Sequence, residues 1–243
     1  MNDVSPMGLD IHLQGEALRL LPRRALWWPA RQTLILADAH FGKAGVFRRQ
    51  GVPLPSGGTA ADLAELDRLL RQTGAARLLI LGDFLHAAPT SEEPWLQTFS
   101  GWRATHRQLR ITVVAGNHDR GLERLPADWA LDWQLRPLVD GPFVFRHDPE
   151  PMADGYVLAG HLHPVLRLRG RVDRLRLPVF WFADHVGVLP SFGSFTGGQP
   201  IRPAAGDRVY GIAADQVLDC SAAAGSLARH GTAADRTDQR SVS

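Results

Sequence analysis

Five short segments of this chain carry residue types that bind metal ions. In order they are Asp38-Ala-His40, Gly82-Asp83, Gly116-Asn117-His118-Asp119, the single His147, and Gly160-His161-Leu162-His163. Carboxylate oxygens mixed with imidazoles suit manganese, iron, zinc or cobalt better than calcium or magnesium. In Asp-x-His and His-x-His, residues two apart can project to the same side of an extended or turning segment and chelate together. Each piece alone has an ordinary explanation. Asp83 could be a turn residue bonding its own backbone, Asp119 a helix cap, and Gly-His-x-His a solvent-facing loop. Independent turns have no reason to put metal-ligand types after strand upon strand, so the ordered set reads as one metal centre.

Such a set works only if the elements before it end in one place. Thr33–Ala37, Arg77–Leu81, Ile111–Ala115, Phe143–Phe145 and Tyr156–Ala159 are short apolar runs rich in Val, Ile and Leu, and each leads into one of the five segments. Runs of this kind read as buried strands, and in open α/β sheets ligands gather outside the carboxyl ends of strands. Between them, Thr59–Thr73 carries Leu63, Leu66, Leu69 and Leu70 on one stripe, with Thr59 as candidate N-cap and Gly74 past its end. A second helix is expected over Glu92–Leu109, with Pro94 in its first turn and Trp95, Phe99 and Trp102 on its apolar face. Strand–helix–strand alternation predicts a layered α/β architecture. Strand-like runs from Phe143 to Leu218 predict a second sheet.

The 243 residues, 44% hydrophobic and 21% charged, suit one domain over residues 1–220. Residues 221–243 are small and polar without periodicity and are expected to be a disordered tail. A lone Cys220 excludes an internal disulfide framework and a Cys-rich zinc site. No apolar run reaches the roughly 18–20 residues of a membrane helix, and Met1–Asp10 lacks a signal-peptide pattern. The expected address is the cytoplasm, with no membrane partner. The formal net charge is only +2 and Lys43 is the sole lysine. Arginine forks match phosphate oxygens, but this bias also follows from an arginine-favouring genome.

The ordered motifs resemble the calcineurin-like metallophosphoesterase superfamily. A closer likeness covers Glu16 to about Leu218. It rests on Thr33–Ala44, Phe47-Arg48-Arg49, Gly51–Pro55, Leu81–His86 and Val188–Gly198, which are similar to the bacterial ligase-associated DNA damage response endonucleases of the PdeM type. The resemblance implies a four-layer α/β/β/α sandwich with two central mixed sheets and a dinuclear site at the strand ends. It implies that Asp38, His40, Asp83 and His163 hold one divalent ion. Asp83 bridges to a second, completed by Asn117, His147 and His161. Manganese is the metal implied, with iron, zinc, cobalt or nickel as alternatives. The implied activity is cleavage of DNA or another phosphodiester by metal-activated hydroxide, with functional links to an ATP-dependent DNA ligase, a helicase and an exonuclease.

By the same resemblance His118 contacts the scissile phosphate and protonates the leaving oxygen, a task suited to an imidazole. The chain departs from the common Gly-Asp-x-x-Asp pattern, because His86 stands where the second Asp orients the catalytic histidine. His86 is then a substrate contact, a second acid or a structural group, and the partner of His118 stays open. Lys43 and Arg48 are candidate substrate-binding residues beside Arg49. Val165–Leu177 alternates apolar residues with Arg167, Arg169, Arg171, Arg174 and Arg176, as an Arg-rich hairpin or any half-exposed strand would. The helical tryptophans read as core, and His185 as structural. The rival functions are a phosphodiesterase or phosphatase for a small nucleotide or other metabolite, and a metal-free scaffold. The oligomeric state is open, a homodimer being one option.

Overall fold

The computed structural model describes residues 8–52, 57–90, 93–169, 174–194 and 197–224. Among these, two mixed sheets face each other. The first has the order β1 (Leu9–Leu13), β2 (Glu16–Leu21), β3 (Ala25–Trp28), β4 (Thr33–Ala37), β5 (Arg77–Leu81), β6 (Arg110–Val114), β7 (Leu131–Gln134). The second is built from β8 (Leu138–Asp140), β9 (Phe143–Phe145), β10 (Tyr156–Ala159), β11 (Pro164–Arg169), β12 (Arg174–Phe182), β13 (Val186–Val188), β14 (Gln199–Pro200), β15 (Arg208–Ala213) and β16 (Gln216–Asp219). The three longer helices are α1 (Lys43–Arg49), α2 (Gly58–Thr73) and α3 (Pro94–Thr105).

Period-two alternation sorts each strand between two cores. Ile35, Ala37, Leu79 and Leu81 face the second sheet and meet Phe143, Phe145, Leu158 and Phe180. Leu34, Leu36, Leu78 and Ile80 face outward beneath Leu63, Leu66 and Leu69 of α2 and Trp95, Phe99 and Trp102 of α3. Both faces of β4 and β5 are therefore buried, which explains their unbroken apolar runs. The expected core role of the helical tryptophans holds, and Trp102 also donates its indole N–H to Asp67 of α2 at 2.7 Å.

Register matters most for the site. β4, β5 and β6 run parallel, with Ala37 beside Leu81 and Leu81 beside Val114. In the second sheet Phe145 of β9 pairs with Leu158 of β10, and Ala159 with Val188 of β13. Strands in each sheet thus end level, and the next residues of each emerge along one seam. A parallel bridge between Ala37 and Ser191 and a bond from Phe192 N–H to the Ala37 carbonyl (2.8 Å) join the two sheets there.

Several local expectations need correction. Thr59 is not the cap of α2. Gly57 precedes the helix, and the Thr59 hydroxyl instead accepts the Gly42 N–H at 3.3 Å. α3 is shorter than Glu92–Leu109 at both ends: Glu93, directly before Pro94, is held extended, as residues before proline are, and the helix stops at Thr105, with His106 at φ −115°. The β1–β3 meander and α1 were not anticipated; α1 buries no residue and so lacks an apolar stripe to read. α2 and α3 cover the first sheet. On the outer face of the second sheet, Leu166, Val179 and Val209 pack with Ala224 of the helical turn 221–224. That turn lies within the expected disordered tail, and the rest of the tail falls outside the described residues. Among the described residues no helix is long and apolar enough to cross a membrane.

Candidate metal centre

The candidate ligands sit on turns that immediately follow the level strand ends. Asp38, His40, Asp83, His161 and His163 all have positive φ, between 43° and 69°. They are half of the non-glycine residues in that region among the described residues. L-residues with side chains rarely adopt it, and such strain collects at functional sites. The chain reverses within one or two residues there, which aims side chains back over the strand ends. The motif glycines make room for this. A Cβ on Gly82, whose φ is +72°, would overlap the His147 ring. A Cβ on Gly160 would lie 2.5 Å from Asp38 Oδ2.

The side chains converge. His40 Nε2 lies 3.4 Å from His163 Nε2 and 3.8 Å from Asp83 Oδ2. His163 Nε2 is 3.5 Å from Asp38 Oδ2, and Asp38 Oδ1 is 3.6 Å from His147 Nδ1. Asp83 Oδ1 is 3.7 Å from His147 Nε2, which is 2.9 Å from His161 Nδ1. Asp83 thus turns one oxygen to each half of the cluster. Two compact triads could each hold an ion, Asp38–His40–His163 and Asp38–Asp83–His147. Asp38, His40, Asp83 and His147 are buried. Desolvation pushes the Asp38 carboxyl above its ordinary range and the His40 imidazole below its own.

The donor set fits divalent cations. Asp38 Oδ1 and His147 Nδ1, 3.6 Å apart, are buried without a hydrogen-bond partner, as are two nitrogens not aimed at the cluster's other ligands, His40 Nδ1 and His86 Nδ1. Leaving such groups unsatisfied costs about 1–3 kcal/mol each. Imidazole nitrogens and carboxylate oxygens facing one another at 3.4–3.8 Å are spaced to share a cation, and a bound cation inverts the local preference for neutral groups. Further contacts orient the set. His163 Nδ1 faces the Gly197 carbonyl at 3.3 Å, as a metal-ligating imidazole typically faces a carbonyl with its other nitrogen. His161 N–H donates to Asp38 Oδ2 at 2.8 Å, and His118 N–H to Asp83 Oδ1 at 2.9 Å. Asn117 is exposed on the same turn as His118.

His118 and His86 form one stack. Their rings lie 5.3 Å apart at 14°, and His86 in turn stacks on Phe47 of α1 at 5.6 Å and 22°. His40 meets both edge-on at 5.4 Å. His118 Nδ1 lies 2.9 Å from the His86 main-chain carbonyl. A carbonyl only accepts, so Nδ1 carries a proton and Nε2 is the atom free to exchange one. The His118 partner left open above is therefore a backbone carbonyl rather than a carboxylate. Burial and the Lys43 charge lower the His86 imidazole to about 4. Lys43 is half-buried, with Nζ 5.8 Å from the Phe47 centroid, and burial lowers its ammonium below the ordinary value. Arg48 is exposed on the same helix, while Arg49 is paired with Glu93 at 3.0 Å.

Residues 31–203 match the calcineurin-like phosphoesterase family. A solved nuclease from Pseudomonas putida, MPE, is similar at 41% identity over 88% of this chain and 100% of its own, with a TM-score of 0.77. This chain belongs to the calcineurin-like phosphoesterases. The phosphoesterase YfcE of E. coli is similar at 15% identity over 75% of this chain and 88% of its own, with a TM-score of 0.38, too low to argue from. No curated protein sequence matches significantly.

In this calcineurin-like phosphoesterase the motifs also hide supporting residues that the sequence reading missed. Asp119 caps no helix. Its carboxylate accepts N–H groups from Leu85 and Gly116 at 2.8 Å and from Phe84 at 3.3 Å, tying the β5 and β6 turns together. Asp148 joins His147 and His161 in a third compact group, 3.9 Å from His161 Nδ1. Its one signal was adjacency to His147. The Ser191 hydroxyl donates to the Asp38 carbonyl at 2.8 Å. The Arg-rich segment is an antiparallel hairpin with Arg167 opposite Arg176 and Arg169 opposite Arg174; Arg171 falls outside the described residues. His185 is exposed, and its carbonyl accepts the Val157 N–H.

Proposed function

We propose that this phosphoesterase is a dinuclear metal-dependent nuclease that cleaves phosphodiester bonds in DNA, an endonuclease of repair acting in the cytoplasm. One observation carries the reading: buried, unpartnered atoms of Asp38 and His147 converge with His40, Asp83, His161 and His163 where the strands of both sheets end. The 41% identity to a nuclease supports nucleic acid as the substrate class. Residues 1–220 act as a single catalytic domain. The branch it resembles links it functionally to an ATP-dependent ligase, a helicase and an exonuclease.

Asp38, His40, Asp83 and His163 hold one ion, and Asp83, Asn117, His147 and His161 the other. Manganese is the metal proposed, and reconstitution with iron, zinc, cobalt or nickel tests that choice. When bound, two such ions would activate water near neutral pH and neutralise charge building on the phosphate. Asp83, with one oxygen toward His40 and the other toward His147, would help to hold both. His118 delivers a proton from Nε2 to the leaving oxygen, its ring fixed by the His86 carbonyl and the stack on the His86 ring. His86 borders this path and guides the substrate, and its low proton affinity suits contact better than acid catalysis. Lys43 and Arg48, from α1, meet phosphate oxygens.

The test incubates metal-stripped protein plus Mn²⁺ with circular single-stranded DNA, beside Asn117→Ala and His161→Ala, with a small phosphodiester in parallel. Cleavage of circles by the parent and by neither variant supports the reading. Hydrolysis of the small ester with circles intact replaces it with a small-molecule phosphodiesterase. Inactivity on both substrates with no bound metal replaces it with a scaffold.

A further inference from the structure

Beside the metal centre lies a cavity of about 320 Å³ whose lining includes His163, Arg24, Arg176, Ser191, Gly197 and Gly198. That volume is at the small end of ligand sites. Two arginines and no carboxylate line it. Arg24 reaches it from the β2–β3 turn, its guanidinium held by the Ser191 carbonyl at 3.3 Å and the Gly193 carbonyl at 3.5 Å. Arg176 Nη2 donates to the Gly198 carbonyl at 2.7 Å.

The link to the metal centre is short. The carbonyl of Gly197 faces His163 Nδ1, and that of the next residue, Gly198, accepts from Arg176. Gly198 has no space for a side chain, since a Cβ there would lie 2.6 Å from the His163 carbonyl and 3.2 Å from Arg176 Nη2. The Gln199 N–H bonds the same His163 carbonyl at 3.1 Å, so the segment is zipped onto β11. The guanidinium is thus held at a set offset from the metal-facing Nε2 of His163. Arg167 stands directly across from Arg176 on the neighbouring strand. Like charges so placed repel, and among the described residues no salt bridge to a carboxylate relieves either one.

We propose that Arg176, backed by Arg24, forms an anion subsite for the phosphate flanking the scissile one, so that the site selects a polynucleotide over a single phosphate ester. A guanidinium offers a planar fork to phosphate oxygens, and a phosphate in the cavity relieves the repulsion across the hairpin. The proposal rests on the nucleic-acid reading above.

The experiment follows Mn²⁺-supported hydrolysis of bis(para-nitrophenyl) phosphate and its inhibition by a short single-stranded deoxyoligonucleotide and by inorganic phosphate. Arg176→Gln and Arg24→Gln are compared with the parent and with Arg110→Gln, a control at the opposite end of the first sheet. For Arg176→Gln the inhibition constant of the oligonucleotide rises about tenfold, the scale of one charged hydrogen bond, while that of inorganic phosphate stays within about twofold. The salt dependence of oligonucleotide inhibition becomes shallower, by roughly 0.7 in the log–log slope for one lost phosphate contact. Arg24→Gln moves the same way and Arg110→Gln matches the parent. A parallel rise for both inhibitors overturns the proposal, because Arg176 then acts by holding the Gly197–Gly198 segment against His163. No change for either inhibitor overturns it too. If the oligonucleotide neither inhibits the parent nor is cleaved by it, the nucleic-acid reading itself has failed and the subsite falls with it. Parent inhibition left intact in both arginine variants sinks the subsite alone.

Discussion

At the residue scale, the departure at His86 changes how the His118 imidazole is held. A carboxylate partner fixes an imidazole and also stabilises its charged form. A main-chain carbonyl fixes the same tautomer with only a dipole. His118, with Nδ1 2.9 Å from the His86 carbonyl, therefore keeps its orientation without a paired charge. Replacing His118 with Ala is expected to lower kcat roughly 100- to 10,000-fold, the range of a lost general acid. Bound metal, measured by elemental analysis, stays at the parent level, because the imidazole of His118 is in none of the three compact groups. Loss of metal together with activity would instead make the ring a ligand.

At the scale of elements, the site is made by turns, and glycines there do different jobs. Gly82 and Gly74 share positive φ, at +72° and +65°, but only Gly82 has the His147 ring where a Cβ would go. Gly74→Ala then costs about 1 kcal/mol of backbone strain with unchanged metal content. Gly82→Ala destabilises by more and loses metal as His147 is displaced. Thermal midpoints and elemental analysis of the two variants separate these effects. Another element-scale tie joins α2 to the segment after β13, where the Ser194 hydroxyl donates to Asp62. Burial raises the Asp62 carboxyl to about 6, although Ser194 opposes the shift. Between the ordinary aspartate value and about 6, the folded protein holds a proton that the unfolded chain has released. Stability from this group therefore falls as pH rises through that window and is level above it. Asp62→Asn is expected to flatten that part of the profile, seen as thermal midpoints of chelated protein between about pH 4 and pH 7.

At the scale of the whole molecule, the candidate metal centre is a seam. Asp38, His40 and Asp83 come from the first sheet, and His147, His161 and His163 from the second. Ions that bind only when both sheets are docked stabilise the docked state by mass action, about 2.7 kcal/mol at a hundredfold excess over Kd. For a chain of this length that is a rise of roughly 5–10 °C in thermal midpoint. Calorimetry of chelated protein with and without Mn²⁺ reads it directly. An unchanged midpoint would mean that the cluster does not hold the ion.

Much of this was legible in the chain itself. Buried strands are continuous apolar runs, so β4, β5, β6, β9 and β10 were found within a residue or so. The ligand types stood directly after them, because a chelating side chain must leave its strand within two or three residues to reach the seam. What could not be read is whatever depends on a partner distant in sequence. Asp119 looked like a cap and is a clasp, since its three donors lie on the β5 turn and its own. α1 left no periodic signal because it buries nothing. The pairing of Arg176 with Gly198 needs two strands in register and a third segment zipped beside them. Local composition determines which residues can bind a metal and where strands stop. Only the packing of two sheets decides which donor atoms meet, because those distances are set by register and inter-sheet contact rather than by any spacing along the chain.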